Sequence, residues 1–308
     1  MAIILTILGL VVFEVINSVD NAVINAEVLS KMGEKARRWF LFWGILFAVF
    51  LVRGLLPWAI IWLTSKDLTM WQALVATLGS SPEIAHLIET SAPPLLVGAG
   101  IFLVFLFLHW LFLEEKTYGL VGEKFIHRHG LWFYTIASLF LTLVVWICIK
   151  VDPVMALGAV VGSTGFFMVH GFKENAESAE RAMLAGKTGI SDWSKILYLE
   201  AIDACFSIDG VLGAFAFTLS VPLILIGNGI GAVVVRQLTV SNIERVKRFV
   251  FLKNAAMYSI LFLGLIMISD SFGINVPVWL SPVVTFVIIG YFLLKSFKLL
   301  NVSKLNSL

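Results

Sequence analysis

A chain of 308 residues that is 59% hydrophobic and only 14% charged lies outside the soluble globular range. Its formal charge of +2 offers no basic field for nucleic acid. Its two cysteines, Cys148 and Cys205, both sit inside apolar runs and exclude a disulfide framework. With a mean hydropathy of +0.96, the sequence reads as a polytopic membrane protein.

At roughly 20 apolar residues per span, an all-α architecture of about nine transmembrane helices is expected. In chain order their limits are 3–28, 39–63, 94–113, 130–150, 153–172, 195–219, 221–240, 255–272 and 278–298. No Lys or Arg precedes the first apolar run, and an acidic motif follows it instead of a small-residue cleavage site. It therefore reads as a span, not a removed signal peptide. Between Asp67 and Pro94, the short apolar piece from Trp71 to Leu78 is broken by Ser80-Ser81-Pro82, which predicts an external loop with an interfacial helix.

Loops after the odd spans carry Lys31, Lys35, Arg37 and Arg38; Lys116, Lys124 and Arg128; Lys173, Arg181 and Lys187; and Arg245, Lys247, Arg248 and Lys253. Loops after the even spans hold little beyond Lys66 and Lys150. The positive-inside rule then places the N-terminus outside and the C-terminus, with Lys295, Lys298 and Lys304, in the cytoplasm. Trp39, Trp58, Trp62 and Trp279 fall toward span ends as interface anchors.

One pattern occurs twice within apolar stretches. Glu14-Val-Ile-Asn-Ser18-Val-Asp20-Asn21 and Asp203-Ala-Cys-Phe-Ser207-Ile-Asp209-Gly210 both read acid, three residues, Ser, β-branched residue, Asp, then a small or polar residue. A carboxylate at the centre of a bilayer helix costs about 2.5–3.5 kcal/mol on insertion scales, so four matched acids point to one buried polar site. The duplication extends further. Gly44-Ile-Leu-Phe-Ala-Val-Phe-Leu-Val-Arg53 in span two aligns with Gly227-Asn-Gly-Ile-Gly-Ala-Val-Val-Val-Arg236 in span seven.

Five spans separate the equivalent helices, so the halves cross in opposite directions, a three-plus-three inverted repeat of the kind transporters use. The single transmembrane domain, 1–308, then divides into repeat one (1–113), an intervening hairpin and cytoplasmic loop (114–194), repeat two (195–272), and a last span with its tail (273–308).

At 100° per residue, Glu14, Asn17, Ser18, Asn21 and Asn25 share a stripe about 100° wide, with Asp20 about 60° beyond its edge. Asp203, Ser207 and Gly210 likewise share a face, with Asp209 displaced. A kinked or unwound helix would bring both Asp residues round. Carboxylate, amide and hydroxyl oxygens suit hard or borderline cations such as Mn²⁺, Ca²⁺ or Mg²⁺ better than Zn²⁺ or Cu⁺. The four acids less Arg53 and Arg236 leave two negative charges, which one divalent cation neutralises. Burial favours the protonated carboxyl when the metal leaves, which links cation release to proton uptake.

Plainer readings compete. Polar residues in membrane helices often serve as interhelical glue, the default for each Ser and Asn taken singly. Glue does not explain paired Asp at equal spacing, because neutral side chains would serve at lower cost. Arg53, mid-span, reads as a counter-ion, whereas Arg236 and Glu200 read equally well as interfacial residues. His109 reads as interfacial, and His127-Arg-His129 as part of a solvated loop. The charge alternation from Lys173 to Arg181 predicts an exposed cytoplasmic helix.

The stretches Phe13-Glu14 through Asn25-Ala26 and Glu200-Ala201-Ile202-Asp203 through Asp209-Gly210 resemble the two signature motifs of the TerC-like integral membrane proteins, in particular the branch with extra helices. That family is associated with tellurium resistance and manganese efflux, and is grouped with the LysE-type transporters. The resemblance implies a bacterial inner-membrane location and makes Glu14, Asp20, Asn21, Asp203 and Asp209 the ion-binding positions. The stripe and counter-ion reading above adds Asn17, Ser18, Asn25, Ser207, Arg53 and Arg236 in support. The leading expectation is a non-enzymatic secondary exporter of a divalent cation, with Mn²⁺ foremost, that uses no resident cofactor. Its partners would be the ion and the bilayer, with a homo-oligomer or membrane partner proteins also compatible. A scaffold that assists metallation of exported or membrane proteins is the alternative. An intramembrane aspartyl hydrolase, with two Asp sharing a proton, ranks third.

Overall fold

The computed structural model describes residues 2–18, 32–44, 69–78, 82–184, 208–241, 248–274 and 276–305, together with Phe47, Gly54, Leu55, Trp58, Ala59, Trp62, Trp193 and Ile196. For Leu41, 76–78, 82–91, 173–184, 238–241 and 301–305 it describes the backbone alone. Among these residues the chain is helical, without strands. The helices are α1 (Ala2–Asn17), α2 (Glu34–Trp39, continued by a wider π-type turn over Phe40–Gly44), α3 (Met70–Leu78), α4 (Pro82–Phe112), α5 (Glu123–Arg128) and α6 (Trp132–Val151). They continue with α7 (Pro153–Leu184), α8 (208–214), α9 (Val221–Ser241), α10 (Leu252–Ser271) and α11 (Leu280–Leu305).

Five of the described helices are long and apolar enough to cross a bilayer, at Ala92–Phe112, Trp132–Val151, Pro153–Phe172, Leu252–Ser271 and Leu280–Leu300. Ala2–Asn17 and Val221–Gln237 are shorter apolar helices. The expected spans 39–63 and 195–219, and the second half of 3–28, fall largely outside the described residues. One expectation changes. The region read as an external loop before Pro94 is helical from Pro82, and α4 runs through Pro93 and Pro94. Pro82 sits at the helix start, where its missing N–H costs nothing.

The Ala92–Phe112 stretch of α4 is the axis of the bundle. Its span is 89% buried, against 22% for those of α6 and α11, whose outer faces carry Leu139, Leu143, Val287 and Leu294. Lipid gives apolar helices no hydrophobic reason to associate, so close van der Waals approach at small residues must hold them. Gly158 and Gly162, four apart on α7, lie directly on the α4 backbone at Pro94 and Gly98. A Cβ built on Gly98 would come within 2.7 Å of the Gly158 carbonyl. On the other side of α4, Gly264 of α10 meets the Gly100 carbonyl. Asp152 alone separates α6 from α7. Its Oδ1 accepts the Val154 N–H at 2.9 Å as an N-cap, and Pro153 follows at the first helical position.

A second hub forms around α1, which packs on α9, α10 and α11. Val12 and Ile16 join Phe251, Ala255, Ile289 and Phe292, while Gly9 lies against Phe217 and Pro282. This hub carries the first acidic motif.

Candidate functional site

Motif one ends α1. The Ser18 N–H still reaches the Glu14 carbonyl at 3.0 Å, and Ser18 Oγ donates to Glu14 Oε1 at 2.8 Å. Glu14 is 1% exposed, inside a helix with no other charged residue. Motif two runs into α8, where Asp209 is also buried. Phe13 lies on Gly213 and Gly9 on Phe217, and the Phe13 and Phe217 rings are 5.6 Å apart. Residue numbers rise on α1 as they fall on α8, so the two motif-bearing helices pack antiparallel.

Glycines clear the space around the Glu14 side chain. A Cβ on Gly210 would lie 3.0 Å from Glu14 Oε2 and 3.7 Å from Asn17 Nδ2. From α9, a Cβ on Gly231 would fall 2.7 Å from Glu14 Cβ and Cγ, and one on Gly227 would strike Leu10. Glu14 thus occupies a crevice between α1, α8 and α9, with its carboxylate against the backbone of motif two.

Among the sequence-predicted residues, Glu14 and Asn17 therefore meet the segment that contains Asp209, and Ser18 bonds to Glu14. Asp20, Asn21, Asn25, Arg53, Asp203 and Ser207, and also Glu200, lie outside the described residues. Arg236 donates from Nη2 to the Phe40 carbonyl, and its guanidinium carbon sits 4.7 Å above the Phe40 ring centroid, tying α9 to the end of α2. No group of three or more His, Cys, Asp or Glu side chains that could hold a metal occurs among the described residues. Gly231 was not expected as a site residue. Its signal is the Gly227-x-x-x-Gly231 spacing, which permits close helix approach.

Two further polar clusters lie at the end of the bundle that carries residues 113–131. Glu123, 2% exposed, accepts the Gly119 N–H at 2.7 Å, the Leu120 N–H at 3.0 Å, Asn254 Nδ2 at 3.3 Å and the Tyr258 hydroxyl at 2.9 Å. Lys295 of α11 donates to the Gly119 carbonyl. Lys116 donates to the Trp110 and Leu111 carbonyls at the end of α4; burial pushes its ammonium down to about 8 despite the Glu123 and Glu114 carboxylates. Alongside, Glu114 lies 2.8 Å from Lys253 and 3.5 Å from His109 Nδ1. Burial alone would raise the Glu114 pKa, but the adjacent His109 ring and the Lys253 ammonium outweigh it and hold the carboxyl well below its usual range. His109, expected at the interface, is buried against Phe133, Phe166 and His170.

A chain whose described residues are helical, with five apolar helices long enough to cross a bilayer, is compatible with the polytopic membrane class. A family model described as a protein of unknown function (DUF475) matches residues 19–301, and the chain belongs to that family. No curated protein and no solved structure matches it.

Proposed function

We propose that this protein is a secondary transporter that exports a divalent cation, with Mn²⁺ as the first candidate, by alternating access between two oppositely oriented halves. The observation that carries this reading is the Glu14 carboxylate of motif one held against Gly210 of motif two, between antiparallel helices. Oxygen ligands from both motifs (Glu14, Asp20, Asn21, Asp203 and Asp209) would bind the ion, and Asn17 and Ser18 would orient the carboxylate. The resemblance of both motifs to those of TerC-like proteins supports the same assignment. On this reading the 113–131 end of the bundle faces the cytoplasm of a bacterial inner membrane, and protons exchange for the cation as the carboxylates empty.

The test is Mn²⁺ uptake into proteoliposomes that hold the purified protein. Glu14→Gln combined with Asp209→Asn should reduce uptake to the rate of protein-free vesicles. Wild-type uptake by that double variant would remove the site, and no uptake by the wild-type protein would remove the function.

A further inference from the structure

We infer that Asn228 supplies a carboxamide oxygen to the cation on the Glu14 site, an inference that rests on the transport reading above and names a ligand outside both acidic motifs. Asn228 lies on α9 at 0% exposure, and neither its Oδ1 nor its Nδ2 has a hydrogen-bond partner among the described residues. Buried amides are ordinarily paired, and one with both its oxygen and its nitrogen unpaired asks for an explanation, of which a bound ion is one. Full burial also rules out lipid as the medium that surrounds it.

Its place on α9 says which ligand. Ile224, Asn228, Gly231 and Val235 are all buried and form one face of the helix. Ile224 belongs to the apolar cluster with Leu10, Phe13, Val211 and Phe217, and Gly231 meets the aliphatic stem of Glu14. Because α1 and α9 run parallel there, with Leu10 at Gly227 and the stem of Glu14 at Gly231, Asn228 stands about 4.5 Å along the axis before the level of that stem. It is the one amide on that face, set where apolar packing gives way to the acid. A carboxamide oxygen is a neutral hard donor of the kind that completes oxygen coordination of Ca²⁺-like cations without adding charge. In the aligned segment of the first half the corresponding position is Ile45, so the ligand would come from one half alone.

Full-length protein in detergent, titrated with Mn²⁺ and followed by the electron paramagnetic resonance signal of the free ion, decides the matter. Asn228→Leu keeps the volume and removes the unpaired amide. It should melt no lower than wild type yet weaken Mn²⁺ binding by about tenfold or more. Asn228→Asp restores an oxygen with charge and should bind Mn²⁺ at least as tightly as wild type above the carboxyl titration. Wild-type affinity in Asn228→Leu while Glu14→Gln loses binding would overturn the ligand and leave the transport reading standing. So would an Asn228→Asp protein no tighter than Asn228→Leu. Failure of the wild-type protein itself to bind Mn²⁺ would overturn both.

Discussion

Two glutamates are almost equally buried in this protein, and their surroundings differ in kind. Glu123 is enclosed by donors: two backbone N–H groups of its own loop, a tyrosine hydroxyl and an asparagine amide from α10. Glu14 accepts from Ser18 Oγ on its own helix at 2.8 Å and is bordered by glycines, with Gly210 before its carboxylate and Gly231 beneath its stem. A carboxylate saturated with hydrogen bonds fixes one conformation and resists exchange of any partner. One bordered by glycines lets a neighbouring backbone come close to its oxygens. The first arrangement fastens the 113–131 loop to α10, and the second suits a site that fills and empties.

The sharpest way to break this contrast is to remove Glu123. Glu123→Ala strips a partner from several buried donors at once, at about 1–3 kcal/mol for each group left unpaired. The melting temperature in detergent should drop further than for any other single substitution discussed here, while Mn²⁺ binding per folded molecule stays at the wild-type level. Glu14→Gln should do the reverse, with binding lost and melting little changed. If Glu123→Ala melts with wild type, the loop is held by something else and the contrast fails.

A smaller effect is expected at the cleared space. In an open helix interior Gly→Ala stabilises by about 0.5–1 kcal/mol. At Gly231 the new methyl would fall on the stem of Glu14, and overpacking of this sort costs about 1–3 kcal/mol. Gly231→Ala should therefore lower both melting temperature and uptake. A stabilised, fully active Gly231→Ala protein would show that the crevice is not tight.

The sequence anticipated this geometry unevenly. The repeated acid–Ser–Asp pattern singled out two segments that approach each other at Glu14 and Gly210, because a charge in an apolar run stands out without any knowledge of the fold. Spans 130–150, 153–172 and 255–272 fell close to the helices observed, since charged or Pro-containing junctions bracket each apolar run. The start of α4 was missed because Ser80-Ser81-Pro82 reads as a break and the apolar run was begun only at residue 94, although a helix in a packed bundle can absorb the hydrogen bonds lost at Pro93 and Pro94. Glu123 was invisible because it lies in a polar loop and its partners Asn254 and Tyr258 are more than 130 residues away. Asn228 hid among glycines, where nothing local distinguishes a packing amide from a ligand.

Acid should distinguish the two ends of the molecule by the smallest effect. Glu114 is part-exposed, and His109 and Lys253 hold its carboxyl below the ordinary value of about 4.3. A carboxyl lowered on folding contributes stability that is complete above the unfolded value and fades as pH falls through the folded one. The wild-type melting temperature should thus decline more steeply below about pH 4 than that of Glu114→Gln, which has no such proton to bind. Parallel declines would mean that the Glu114–Lys253 pair contributes nothing measurable, as many solvent-exposed ion pairs do. The stability of the 113–131 end would then rest on Glu123 and its donors, which makes the Glu123→Ala measurement the more discriminating of the two.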